Sequence, residues 1–149
     1  MEVKNLFDPS VKEEIVERLH RLNPHSKPVW GKMNAAQMLA HVQMPIGIAF
    51  GTHQPKGNFI LNLVGPLFKS KLWDGKPYGK GLPTDPTFIM TGTDKDFEIE
   101  KTRLIHLVNS FSEQSVVTER HPIFGKMSKE NWSKATWKHL DHHLRQFGV

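Results

Sequence analysis

Lys138-His139-Leu140-Asp141-His142-His143-Leu144-Arg145-Gln146-Phe147-Gly148 is the stretch on which the fold turns. At about 100° per residue, His139 and His143 stand about 40° apart on one helical face. Leu140, Leu144, Trp137 and Phe147 gather to one side of them, while Asp141, His142 and Arg145 point the other way. The pattern predicts an amphipathic helix from about Lys129 to Phe147, with Ser128 as its N-cap and Gly148 as its stop. Two imidazoles one turn apart are spaced to grip one metal ion. A third, His41, sits at the border of another apolar arc, with Met38 and Val42 on its apolar side. Three neutral nitrogen ligands with an open position suit a catalytic ion more than a structural one.

Upstream, three further helices are expected. The first runs from about Pro9 to Leu22. Its Val11, Ile15, Leu19 and Leu22 recur at helical spacing behind the N-cap Asp8, and Pro24 forbids continuation. The second runs from about Asn34 to Phe50, with Asn34 as N-cap. Pro45 inside it should kink or shorten it. The third runs from about Lys95 to Phe111. Glu100 and Lys101 interrupt its apolar stripe, either as a solvated face or as a carboxylate reaching into a site. Strand signals are weak, and the best β-branched run is Ser115-Val116-Val117-Thr118. The expected fold is all-α: a four-helix bundle over residues 1–149, read as one domain.

Between the second and third helices lies a long connection, Gly51 to Asp94. A structureless loop of that length argues against itself, so part of it, about Phe59 to Trp73, is expected to be helical. That segment is a cover over the core, a lid over a pocket, a dimer contact or a membrane-surface helix. The run Gly75 to Gly81 lacks the Gly-Lys-Ser/Thr ending of a phosphate-binding loop.

Composition narrows the functional classes. The 149 residues contain no Cys, which excludes disulfides, thiolate metal sites and a cysteine nucleophile. The N-terminus shows no signal segment and no apolar run reaches the roughly 20 residues of a membrane helix. The expectation is a cytoplasmic protein without membrane contact. The net charge is +5 and the pI about 9.5. The basic residues are interleaved with Glu and Asp, so no specific nucleic-acid partner is expected.

A histidine pair four residues apart is a weak signal by itself. The run His139 to Gln146, however, resembles the last-helix hallmark of the DinB-like superfamily of metalloenzymes. The segment Met33-Asn-Ala-Ala-Gln-Met-Leu-Ala-His41 is similar to the second helix of that superfamily. Trp30-Gly-Lys-Met-Asn34 and His121-Pro-Ile-Phe-Gly-Lys126 resemble one uncharacterised branch, DUF1569. The resemblance implies a four-helix bundle with a divalent metal held by His41, His139 and His143. It makes His142 a non-ligand and suggests a homodimer. Related families include thiol-dependent transferases. In this chain Leu144, not Arg, follows the last ligand, which puts any Arg-dependent substrate contact in doubt.

The function so implied is a metal-dependent transferase or hydrolase on a small molecule, with a metal-activated thiol or water as nucleophile. Zinc or nickel come first as the ion, then iron or manganese. The alternative is a non-catalytic helical module with a structural or vestigial metal. The imidazole N–H groups turned away from the ion need acceptors, for which Gln37, Glu100 and backbone carbonyls are candidates. Glu100 and His121 are candidate catalytic groups, although His121, just before Pro122, also fits a structural loop role.

Overall fold

The computed structural model describes residues 1–55, 59–82 and 86–149. Among these the chain is mostly helical. Its helices are α1 (Pro9–His20), α2 (Ala35–Ala49), α3 (Phe59–Phe68), α4 (Phe97–Ser110) and α5 (Lys129–Gln146). Short 3-10 turns lie at Lys69–Leu72 and Pro86–Phe88, and strands β1 (Arg120–His121) and β2 (Gly125–Lys126) form an antiparallel hairpin.

The helix boundaries follow from local chemistry. A helix leaves its first N–H groups without partners, and a short polar side chain just before it can accept from them. The Asp8 side chain accepts from Ser10 N, Asp96 from Ile99 N and Ser128 from Asn131 N. Asn34 and Gln37 form a reciprocal capping box at the start of α2. Gly148, at φ +76°, adopts the left-handed conformation just past α5.

Helices α1, α2, α4 and α5 pack on one another. Their facing stripes form one core of Ile15 and Leu19, Met38, Leu39 and Ile46, Leu104 and Val108, and Leu140 and Leu144. Full burial of each such side chain is worth about 1.5–3 kcal/mol. Pro45 does not end α2, which runs on to Ala49. It does deprive the His41 carbonyl, four residues back, of its helical donor.

The strand signal at Ser115–Thr118 led elsewhere. Those residues form no strand. Val117 N and Thr118 N both donate to Ala49 O, and Thr118 Oγ1 donates to Ile48 O at 2.8 Å. The β-branched run therefore supplies the donors for Ala49 O, and a second donor for Ile48 O, at the end of α2. The hairpin begins at Arg120, two residues past Thr118, and its second strand opens at Gly125 with φ +77°.

Residues 71–78 of the long connection are held by contacts with α5. Parts of the connection, 56–58 and 83–85, lie outside the described residues. The expected helix from about Phe59 to Trp73 is α3 followed by the first 3-10 turn. Lys138, 1% exposed, donates from Nζ to Lys71 O (2.6 Å), Asp74 O (3.0 Å) and Asp74 Oδ1 (2.6 Å). The Tyr78 ring covers the same ammonium at 4.4 Å. A buried lysine thus clasps residues 71–78 to the helix that carries His139 and His143. Among the described residues no helix is long and apolar enough to cross a membrane.

Candidate metal centre

Helical periodicity puts His139 and His143 on the face of α5 that meets α2, and α2 brings His41 to the same place. The ring centroids are 4.6 Å apart for His41–His143, 4.7 Å for His139–His143 and 5.1 Å for His41–His139. One ligand nitrogen from each ring lies within 4.8 Å of the other two. A shared ion at about 2 Å from each nitrogen would draw them closer together.

Hydrogen bonds fix two of the three tautomers. His41 Nδ1 lies 2.8 Å from Phe88 O, and a carbonyl can only accept, so Nδ1 carries the proton. That leaves Nε2 of His41 with a free lone pair. The Gln146 amide is oriented by Trp30, because its Nε2 donates to Trp30 O at 2.7 Å. Its Oε1 therefore accepts from His143 Nδ1 at 2.7 Å, and His143 also presents Nε2 unprotonated. Gly31 makes room for this arrangement, since a Cβ there would sit 2.4 Å from Gln146 Nε2. His139 is half-buried as a residue, yet its Nδ1 is buried without a hydrogen-bond partner.

All three rings are held neutral. Burial pushes His143 down to about 3, and the neighbouring His41 adds to the effect against the opposing hydrogen bond that His143 donates to Gln146. Burial lowers His139 well below the usual histidine range, helped by His143, His41 and His142. Burial also lowers His41, partly offset by the Phe88 carbonyl. Neutral imidazole is the form that binds metal. Three neutral rings with one nitrogen each within 4.8 Å of the others fit a divalent cation.

The rings open onto a cavity of about 460 Å³, within the usual range for small-molecule sites. Its wall is mainly apolar, with Trp30, Met33, Leu72, Phe88 and Trp132 prominent. Leu72, Tyr78 and Phe88 come from the long connection, which therefore covers this cavity. Among the described residues no carboxylate lines it.

The remaining candidates fall into two groups. Glu100, 7% exposed, lies outside the cavity wall; it accepts from Gln43 Nε2 at 2.8 Å and has Arg103 at 3.5 Å. Gln37 is spent on the cap of α2 and on a bond from its Nε2 to Thr93 O. Neither accepts from a histidine ring. His121 does line the cavity, stacked on Trp132 at 5.3 Å, and burial pushes it down to about 4. His142 lines it too, between Trp30 and Tyr78. Arg145 pairs instead at 2.9 Å with Asp141, which is buried and also bonded to Arg18 of α1 at 2.9 Å.

Gln146 was not among the expected acceptors. Its spacing, three residues after His143, was a readable signal, because that places it one turn along the same face. The Phe88 carbonyl had no signal, since any residue would supply one.

A family model described as "protein of unknown function (DUF1569)" matches residues 9–148. The chain belongs to the DUF1569 family. No curated protein and no solved structure matches it. The match spans α1 to α5, so each of the three histidines, Gln146 and Trp30 lies within the family region.

Proposed function

We propose that this DUF1569 chain is a metal-dependent enzyme of the DinB-like type, built on a four-helix bundle, which transfers or hydrolyses a group on a small molecule. One observation carries the reading: three neutral histidine nitrogens from two helices converge at the wall of a ligand-sized cavity. His41, His139 and His143 would hold the ion. A divalent cation there would supply a Lewis acid that lowers the pKa of a thiol or water and so provides the nucleophile. Zinc or nickel suits the all-imidazole donor set, with iron or manganese next.

The chain's own residues do the rest. Phe88 O and Gln146 orient two of the rings, as carboxylates and carbonyls do around metal-bound histidines generally. Trp30, Leu72 and Phe88 keep water away from one side of the site, which strengthens electrostatic interactions within it. The alternative, an ion that only braces the helices, needs no cavity beside the rings, so the 460 Å³ space favours the enzyme. A homodimer and a cytoplasmic setting belong to the same reading.

The test is elemental analysis of protein purified without an affinity tag. About one divalent ion per chain is expected, lost in His41→Ala and His139→Ala while helical circular dichroism is retained. Assays with thiol cosubstrates on the loaded protein then separate transferase from hydrolase. Metal-free protein that also fails to take up zinc or nickel would end the reading.

A further inference from the structure

Among the described residues, His121 is the one polar group on the cavity wall, outside the three-histidine cluster, whose tautomer is forced by the backbone. It sits in β1, just ahead of the turn to β2. Its Nδ1 receives two backbone N–H groups, Ile123 N at 3.1 Å and Phe124 N at 3.3 Å. A backbone N–H can only donate, so Nδ1 must be a bare acceptor. A neutral ring with a bare Nδ1 carries its proton on Nε2. Protonating Nδ1 would set three hydrogens against one another and break the turn.

The ring is 8% exposed and stacks on Trp132 at an interplanar angle of 26°. Among the described residues Nε2 has no protein hydrogen-bond partner, yet it is not among the sealed-off buried polar atoms. The Nδ1 edge is tied to the hairpin and the residue lines the cavity, so the opposite edge is the one left to face it. Around it the wall is apolar, with Trp132, Phe124 and Met127 nearby in sequence and space. Once a ligand excludes water from it, a donor in such a wall favours an acceptor and disfavours a ligand that lacks one, because an unmet donor costs the full desolvation of the group.

We propose that His121 Nε2–H is a fixed, neutral hydrogen-bond donor for a carbonyl-type oxygen on a largely apolar ligand. The proposal rests on the reading that this cavity holds the small-molecule ligand, but it does not depend on the ion. It also changes the part expected of His121. A ring locked with its proton on Nε2 donates to the ligand and does not act as a base.

Two substitutions separate the two edges of the ring. In His121→Asn the side-chain oxygen can take the place of Nδ1 and keep the turn, while the donor into the cavity is lost. In His121→Gln the amide NH₂ reaches towards the position of Nε2, while the acceptor for the turn is lost.

The experiment uses ¹⁵N-labelled protein as purified, with metal content measured on the same sample so that failure of the metal reading is seen separately. Long-range histidine ¹H–¹⁵N spectra should show His121 neutral, with its proton on Nε2, from pH 6 to 8. Binding is then read for acetophenone and for α-methylstyrene, which has CH₂ in place of the carbonyl oxygen. The ketone should bind about fivefold more tightly, the worth of one such hydrogen bond, and should shift the His121 Nε2 resonance. The preference should vanish in His121→Asn and persist in His121→Gln, whose melting temperature should be the lower of the two. A proton on Nδ1, a charged ring, no binding of the ketone, equal binding of the pair, or an unchanged preference in His121→Asn overturns the proposal.

Discussion

Replacing Gln146 by Met keeps the length and apolar bulk of the side chain but deletes both of its hydrogen bonds. One is the acceptor for His143 Nδ1–H at 2.7 Å, and the other is the donor to Trp30 O at 2.7 Å. The backbone bond from Val29 N to Gln146 O, also 2.7 Å, remains to hold the 29–31 segment against α5. Freed of Oε1, the His143 ring loses what fixes its tautomer and orientation. Losses of that kind weaken metal binding about 10–100-fold, or about 1.4–2.7 kcal/mol. The fold should suffer comparably. Two net hydrogen bonds are worth about 2 kcal/mol, and in a domain of this size that lowers the melting temperature by about 4–8 °C. The assay is a competition titration of zinc and nickel against a chromophoric chelator, with melting curves of the metal-free protein alongside. Gly31→Ala reaches the same amide without touching it chemically: its Cβ would sit 2.4 Å from Gln146 Nε2, at a residue with φ +86°. It should weaken binding in the same direction. Metal affinity within twofold of the parent in Gln146→Met, with His143→Ala abolishing binding, would refute the idea that this amide presents His143 to the ion.

Acid should destabilise the fold through His121. Its folded pKa of about 4 lies below the ordinary 6.5, so below pH 6.5 the unfolded chain binds a proton that the folded ring refuses. The stability it contributes is complete above about pH 6.5 and is lost as the pH falls towards 4, about 3 kcal/mol in all. Urea unfolding of metal-free protein at pH 7 and pH 4 should show a smaller drop in His121→Asn, and parallel curves for the two proteins would remove His121 as the cause. Lys138→Met should cost about 2–3 kcal/mol, because it strips partners from Lys71 O and from Asp74. Hydrogen exchange should then quicken at residues 69–78 while α2 and α4 keep their protection; unchanged exchange there would mean that the clasp does not hold the connection.

What could be read from the sequence is what the helical period dictates. The spacing of His139 and His143, and the apolar stripes around Ile15, Leu39, Leu104 and Leu144, follow from 3.6 residues per turn whatever the tertiary packing does. Caps at Asp8, Asn34 and Ser128 are equally local. Glu100 shows where the period stops informing. It breaks an apolar stripe in the manner of a site carboxylate, but its partner Gln43 lies across the α2–α4 contact, and only packing brings the two together. The weak strand signal at Ser115–Thr118 was undecidable from sequence for a related reason. β-branched residues favour extended backbone, but whether an extended segment pairs as a strand depends on which donors and acceptors it meets, and here it meets the open end of α2.

The cavity lies beyond local reading altogether, because its wall joins α5 to a connection whose path is set by Lys138 and by the Phe88 carbonyl. The same division runs through the site. Both histidines of α5 are given by sequence spacing, whereas Nε2 is made available on His41 and His143 by groups from the connection and from the segment before α2. An isolated α5 peptide would keep the histidine pair but lose Trp30 O, and with it the orientation of Gln146. Its affinity for zinc should therefore fall short of the whole chain's by more than the loss of His41 alone explains, and a comparison with His41→Ala in the intact protein measures that excess.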